Sequence, residues 1–160
     1  AINPPIPPVY DTASHILILG SFPSVKSREA SFFYGHPQNR FWRVTATVMN
    51  APVPNTIEEK CAFLLSHHIA VWDVIASCEI TGSADSSIRN VIPTDLSRIL
   101  SKAPIADIYV NGCTAAKYYT KYQLPVTGIP AIRLPSTSPA NAAWSLERLC
   151  EAWQIITSGS

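Results

Sequence analysis

The stretch His15-Ile16-Leu17-Ile18-Leu19-Gly20 decides the fold. Four aliphatic residues follow one another with no polar residue between them, and the run stops at a glycine. A strand with one face in water alternates apolar and polar side chains, whereas a strand covered on both faces does not. This segment therefore reads as a strand of a parallel sheet enclosed by helices. Runs of the same character recur at residues 69–75, 106–111 and 131–134, and between the runs apolar residues follow helical spacing over 40–49, 57–67, 94–101, 114–122 and 142–156.

Strands that alternate with helices build βαβ units with right-handed crossovers. The expected fold class is α/β, a three-layer α/β/α sandwich around a central, mostly parallel four-stranded sheet. With 160 residues, 47% of them hydrophobic, the chain holds enough apolar matter for one sizeable core, so a single domain is expected over 1–160. The prolines of residues 3–8 exclude helix and central strand, which makes 1–13 an extended arm lying on the domain. From Thr157 onward the tail is expected to fray. Ligands of such sheets bind beyond the carboxyl ends of the strands. That nominates the loops beginning at Gly20, Asp73, Asn111 and Leu134.

Composition excludes several classes. There is no apolar run of about 18 residues and no basic-then-apolar start, which points to a soluble, intracellular protein without a membrane partner, cytoplasmic and nucleoid-associated in a prokaryote. Cys61, Cys78, Cys113 and Cys150 are far apart, with no Cys-x-x-Cys pair, so neither disulfides nor a metal site is expected, and buried reduced thiols are. The formal net charge is only +1. Yet Lys26, Arg28, Arg40 and Arg43 face only Glu29 in the stretch 20–45, and a locally basic face suits a polyanion.

The first loop, Gly20-Ser21-Phe22-Pro23-Ser24, is a small-residue turn whose backbone N–H groups suit a ligand oxygen. It matches neither G-x-G-x-x-G nor a P-loop. The next segment gathers Phe32, Phe33, Tyr34, Phe41 and Trp42 around His36, Asn39 and Arg40. A plain helix start does not need two aromatic clusters with polar groups between them.

These residues carry a resemblance. Gly20-Ser21-Phe22-Pro23-Ser24 with Tyr34-Gly35-His36-Pro37-Gln38-Asn39-Arg40-Phe41-Trp42 resembles the first motif of the mismatch-specific uracil and thymine DNA glycosylases. Leu134-Pro135-Ser136-Thr137-Ser138-Pro139 is similar to the second motif of the same uracil-DNA glycosylase superfamily. With Phe22 where those enzymes carry their first Asn, the chain is most similar to the hypoxanthine-DNA glycosylase branch. Gly82-Ser83-Ala84-Asp85, after Trp72-Asp73-Val74, matches more weakly. The thiol spacing departs from the iron–sulfur branches.

The resemblance implies a monofunctional glycosylase on double-stranded DNA that contains a deaminated or mismatched base, acting as a monomer without metal or organic cofactor. Such an enzyme takes the base out of the stack and holds it by its face and edges. Tyr34 stands where the family places its stacking aromatic, and Phe22 and Pro23 would shape the pocket. Gly20, Ser21, Asp73 and Ser77 are candidates for its polar edge. With the usual first-loop Asn or Asp absent, Asn39 is the candidate catalytic residue, since an amide can both accept from a water and donate. As an alternative it is the cap of the helix that follows. Leu134 replaces the His of the efficient uracil enzymes, which implies weak action on uracil and better action on hypoxanthine. Ser24, Lys26, Arg40, Ser136, Thr137, Ser138 and Pro139 are the candidates for DNA contact, with Pro139 or Ala140 as an apolar wedge. No lysine lies in the motifs, which disfavours a Schiff-base lyase. A non-catalytic binder of damaged bases and a small-molecule enzyme on the same scaffold stay open.

Overall fold

The opening run forms a strand enclosed on both faces: all residues of β1 (Ile16–Gly20) are buried. At roughly 1.5–3 kcal/mol for each fully buried Leu or Ile, this strand anchors the core. A computed structural model describes residues 7–21, 32–35, 38–79 and 89–158, with backbone alone at 77–79, 89–90 and 158. After β1 come α1 (Phe41–Val48), α2 (Ile57–Ser66), β2 (Ile69–Asp73), β3 (Ile75–Glu79), β4 (Arg89–Pro93) and α3 (Ser97–Leu100). The chain continues through β5 (Asp107–Asn111), α4 (Cys113–Tyr118), a π-helical turn (Tyr119–Gln123), α5 (Leu124–Thr127), β6 (Ile132–Leu134), α6 (Leu146–Trp153) and α7 (Ile155–Ser158).

The central sheet has four parallel strands in the order β2-β1-β5-β6. From β1 the chain moves outward to β2, and from β5 it moves outward to β6 on the opposite side. Right-handed crossovers running in opposite directions put their helices on opposite faces. Helix α2 packs on β2, α4 packs on β5, and α6 returns to pack on α1. The fold is the expected α/β arrangement, and its topological switch point lies between β1 and β5.

Local chemistry sets where the helices begin. Thr56 and Glu59 form a capping box ahead of α2, Thr56 Oγ1 accepting from Glu59 N at 3.0 Å and Glu59 Oε1 accepting from Thr56 N at 2.9 Å. Helix α6 starts at Leu146, because Ser145 Oγ caps it by accepting from Arg148 N. Residues 142–145, expected to be helical, belong to the preceding loop. The helix expected over 94–101 is only Ser97–Leu100, delayed by the bonds Asp95 Oδ1 accepts from Ser97 N and Oγ. The pair β3 and β4 was not foreseen; it forms a separate antiparallel sheet. The run 69–75 breaks into two strands at Val74, whose N–H donates to Gly20 O.

The arm reaches the sheet through Val9, which bridges Val71 antiparallel on the open edge of β2. The thiols depart from expectation: Cys61 and Cys150 are half-buried and Cys113 is exposed. Cys113 opens a helix beside the cleft described next, where its side chain has no core to enter. No described helix is long and apolar enough to cross a membrane.

Candidate active site

At the carboxyl end of the sheet Gly20 is the register partner of Asp73. A methyl group on Gly20 would stand 2.7 Å from Asp73 Oδ1 and 3.1 Å from the Tyr34 hydroxyl, so only glycine fits beneath these two groups. Asp73 is 6% exposed, and burial pushes its carboxyl up to about 7. Among the described residues it accepts no hydrogen bond.

Tyr34 has φ 53°, in the left-handed region, which turns its ring back over α1. The ring stacks on Phe41 with centroids 4.0 Å apart, and Phe41 in turn meets Trp153 edge-on at 5.8 Å. A column of aromatic rings thus runs from the core to the site and fixes the Tyr34 plane. The Tyr34 hydroxyl is buried without a hydrogen-bond partner among the described residues. Burial raises its ionisation above the usual tyrosine value, the Asp73 charge adds to this, and the Asn111 side chain opposes it from outside hydrogen-bonding geometry.

Asn39 joins the two motif loops. Its Oδ1 accepts from Phe41 N at 3.0 Å and from Thr137 Oγ1 at 2.8 Å. Thr137 is held in turn by Asn111, whose Nδ2 donates to Thr137 Oγ1 at 3.0 Å and whose Oδ1 accepts from Thr137 N at 3.1 Å. A backbone N–H can only donate, so the atom facing Phe41 N is the amide oxygen. Both lone pairs of that oxygen are engaged, and the amide presents its Nδ2 as the remaining polar group.

The 135–144 loop is held from beneath by Arg40. Its Nε donates to Thr137 O at 3.4 Å, Nη2 donates to Ser138 O at 2.9 Å and to Asn141 O at 3.0 Å, and Nη1 donates to Trp144 O. Arg40 N adds a bond to Thr137 O. Asn141 Nδ2 donates to Ser136 O, and Trp153 Nε1 donates to Pro135 O. Gly112, at φ +95°, lets β5 turn under this loop; a methyl group there would meet Ser136 Cβ at 2.9 Å. The resulting cleft of about 760 Å³ is bordered by Ser21, Asn111, Arg133, Ser136, Ser138 and Trp144, among others.

Several sequence expectations meet here. Gly20, Ser21, Tyr34, Asn39 and Asp73 lie at the carboxyl ends of β1 and β2 or bonded across to the loop, and Ser136 and Ser138 border the cleft. Two assignments to DNA contact change. Thr137 is fully buried, with its hydroxyl given to Asn39 and Asn111. Arg40 directs four of its five N–H donors at loop carbonyls, leaving little for a phosphate. Phe22, Pro23, Ser24, Lys26, His36, Pro37 and the 82–85 segment lie outside the described residues, as does the Ser77 side chain. Asn111 was missed as a side chain. Its signal was a polar residue ending a buried apolar run directly before a glycine.

Comparison with known proteins fits this geometry. The chain is similar to a hypoxanthine DNA glycosylase of Methanosarcina acetivorans, 34% identical over 152 residues and 94% of each chain. A hypoxanthine DNA glycosylase of Methanosarcina barkeri is 30% identical over 114 residues, covering 70% of this chain and 72% of the relative. The solution NMR structure of a candidate uracil DNA glycosylase from Methanosarcina acetivorans superposes with a TM-score of 0.79 at 32% identity, over 96% of this chain and 94% of that one. Fold and matches together define a DNA glycosylase, a hydrolase of N-glycosidic bonds. The family model of the uracil DNA glycosylase superfamily matches residues 7–157, and the chain belongs to that superfamily.

Proposed function

We propose that the protein binds duplex DNA as a monomer and excises a flipped deaminated base, hypoxanthine foremost, leaving an abasic site. The observation that carries this reading is the Asn111–Thr137–Asn39 chain, which locks one amide at the carboxyl end of the sheet with its Nδ2 donor unengaged among the described residues. Tyr34, backed by Phe41, stacks on the flipped base, and Asp73 faces the base edge. Water adds its hydroxyl to C1′ as the bond to the base breaks; the bonding pair leaves on the base, and the water's other proton ends there. Asn39 Nδ2 donates to that water and holds one lone pair, so that the other points at C1′. An oxocarbenium-like sugar needs a placed water more than a strong base.

The names of the Methanosarcina relatives support hypoxanthine as the substrate. Leu134 is buried and offers no donor where a base leaving as an anion would need one, which accords with weak action on uracil.

Asn39→Asp and Asn39→Ala separate catalyst from cap. Aspartate keeps the oxygen that accepts from Phe41 N and Thr137 Oγ1, but lacks the Nδ2 donor. If the donor matters, both variants lose about 10²–10³-fold in single-turnover excision from a hypoxanthine duplex at saturating enzyme. If Asn39 serves only as a cap, Asn39→Asp stays within about tenfold of the parent. A parent that retards the duplex on a gel but leaves no alkali-labile site in it would make the protein a binder.

A further inference from the structure

The cleft runs from Ser21 along the 135–144 loop. At the far end of the 135–144 loop Trp144 borders it half-buried, its carbonyl fastened by Arg40 Nη1. The Arg148 guanidinium lies over the Trp144 ring, 4.1 Å from the centroid, and its Nη1 reaches back to Ala143 O at 3.5 Å. Arg133 borders the same cleft, and the described residues that line it include no carboxylate. Among the described residues neither arginine is in an ion pair. A half-buried ring that packs on the core, carries a cation over one face and stands beside a cleft whose only charged border residue among the described ones is basic can meet a second flat or anionic group with its cleft-facing part.

We infer that Trp144 and Arg148 form a stacking platform for a nucleotide of the bound duplex outside the base pocket, Trp144 meeting the base or sugar and Arg148 and Arg133 meeting its phosphates. The occupant is nucleic acid, because ring stacking beside unpaired guanidinium groups matches the alternation of flat bases and anionic phosphates. Clamping the loop through Arg40 presets the ring position, which lowers the ordering cost of binding. This inference rests on the glycosylase reading but not on the role of Asn39.

The test uses the full chain and a labelled duplex bearing a tetrahydrofuran abasic-site analogue, with dissociation constants measured by fluorescence anisotropy over a range of salt. Trp144→Ala should weaken binding about tenfold, the loss falling on Kd rather than on the excision rate at saturation, and Trp144→Phe should restore most of it. Arg148→Gln should lower the slope of log Kd against log salt by about 0.9, the share of one phosphate. Quenching of the parent's tryptophan fluorescence by DNA should shrink in Trp144→Phe, which keeps an aromatic ring and so keeps the packing. The inference is overturned if Trp144→Ala binds within about twofold of the parent. It is overturned equally if the Kd loss is matched by a lowered melting temperature and Trp144→Phe leaves the quenching intact. A parent that neither binds any lesion duplex nor releases a base from it removes the glycosylase reading itself, a result distinct from a parent that works and a Trp144 variant that works as well.

Discussion

Two neighbouring regions at the carboxyl end of the sheet are built in opposite ways. In the 135–144 loop, groups from β5, α1 and α6 converge on the backbone: Asn111, Arg40 and Trp153 each meet a loop carbonyl, N–H or hydroxyl. In the corner formed by Gly20, Tyr34 and Asp73, a buried carboxyl and a buried hydroxyl sit within reach of the same point and, among the described residues, accept or donate nothing. A satisfied region gains rigidity, and an unsatisfied one keeps its polar capacity for something that is not protein. The loop is thus a fixed wall, and the corner keeps unspent polar capacity, which the proposed function assigns to the base edge.

The widest break between the two regions is open to a pH measurement on Asp73. Its carboxyl moves from an ordinary value near 4 when unfolded to about 7 when folded, so the folded state holds the proton longer. Stability from this group is therefore full below about pH 4, falls as pH rises to about 7 and is flat beyond. At ~1.4 kcal/mol for each pH unit, ionisation costs roughly 4 kcal/mol in all. Asp73→Asn should equal the parent near pH 4 and exceed it by up to that amount at pH 8 in urea melts. Parallel stability curves for the two proteins would show that the corner is not strained by its charge.

Arg40→Met attacks the satisfied side. It leaves loop carbonyls without donors beneath a half-buried surface and should lower stability by about 3 kcal/mol, with excision falling through a loosened wall. If melting is unchanged while DNA binding collapses, Arg40 is a phosphate contact after all. The smallest expected effect comes from Trp153→Phe, which loses the bond to Pro135 O and some packing against Phe41, about 2 kcal/mol together. Hydrogen exchange of the 135–144 amides should quicken in this variant, and the Gly20 corner should be untouched.

The fold was legible because burial leaves a plain mark. β1 and β2 are fully buried strands and β5 is buried from Ile108 on, so their apolar runs stand out in the sequence. The edge strand β6, with Arg133 in its middle, is mostly exposed and carries a weaker mark. The helices between them follow from periodicity. What escaped was decided by pairing and capping. The β3 and β4 pair hides because its first strand continues the run of β2 without a turn signal, and α6 begins later than the apolar spacing because Ser145 supplies its cap. The candidate site was legible as motif positions, and less so as roles. Asn39 was read as catalyst or cap; the N-cap position of α1 falls to Arg40, and Asn39 stands one residue earlier, its oxygen accepting from Phe41 N at the start of the helix. Arg40 and Thr137 look like DNA contacts in a list of polar residues near the motifs. Only distance reveals that they meet each other's loop, across a separation of 97 residues.

The bridge between Val9 and Val71 has a consequence for the company the molecule keeps. Strand β2 ends the sheet on one side, and an uncovered edge of backbone N–H and C=O groups is a template on which a second chain can lie down. The arm fills that place at Val9 with two backbone bonds, and its neighbours Pro7 and Pro8 carry no N–H to continue the ladder outward. A chain shortened past Val9 should therefore gather into pairs or precipitates before it loses its ability to fold. Size-exclusion chromatography at rising concentration would show that tendency directly.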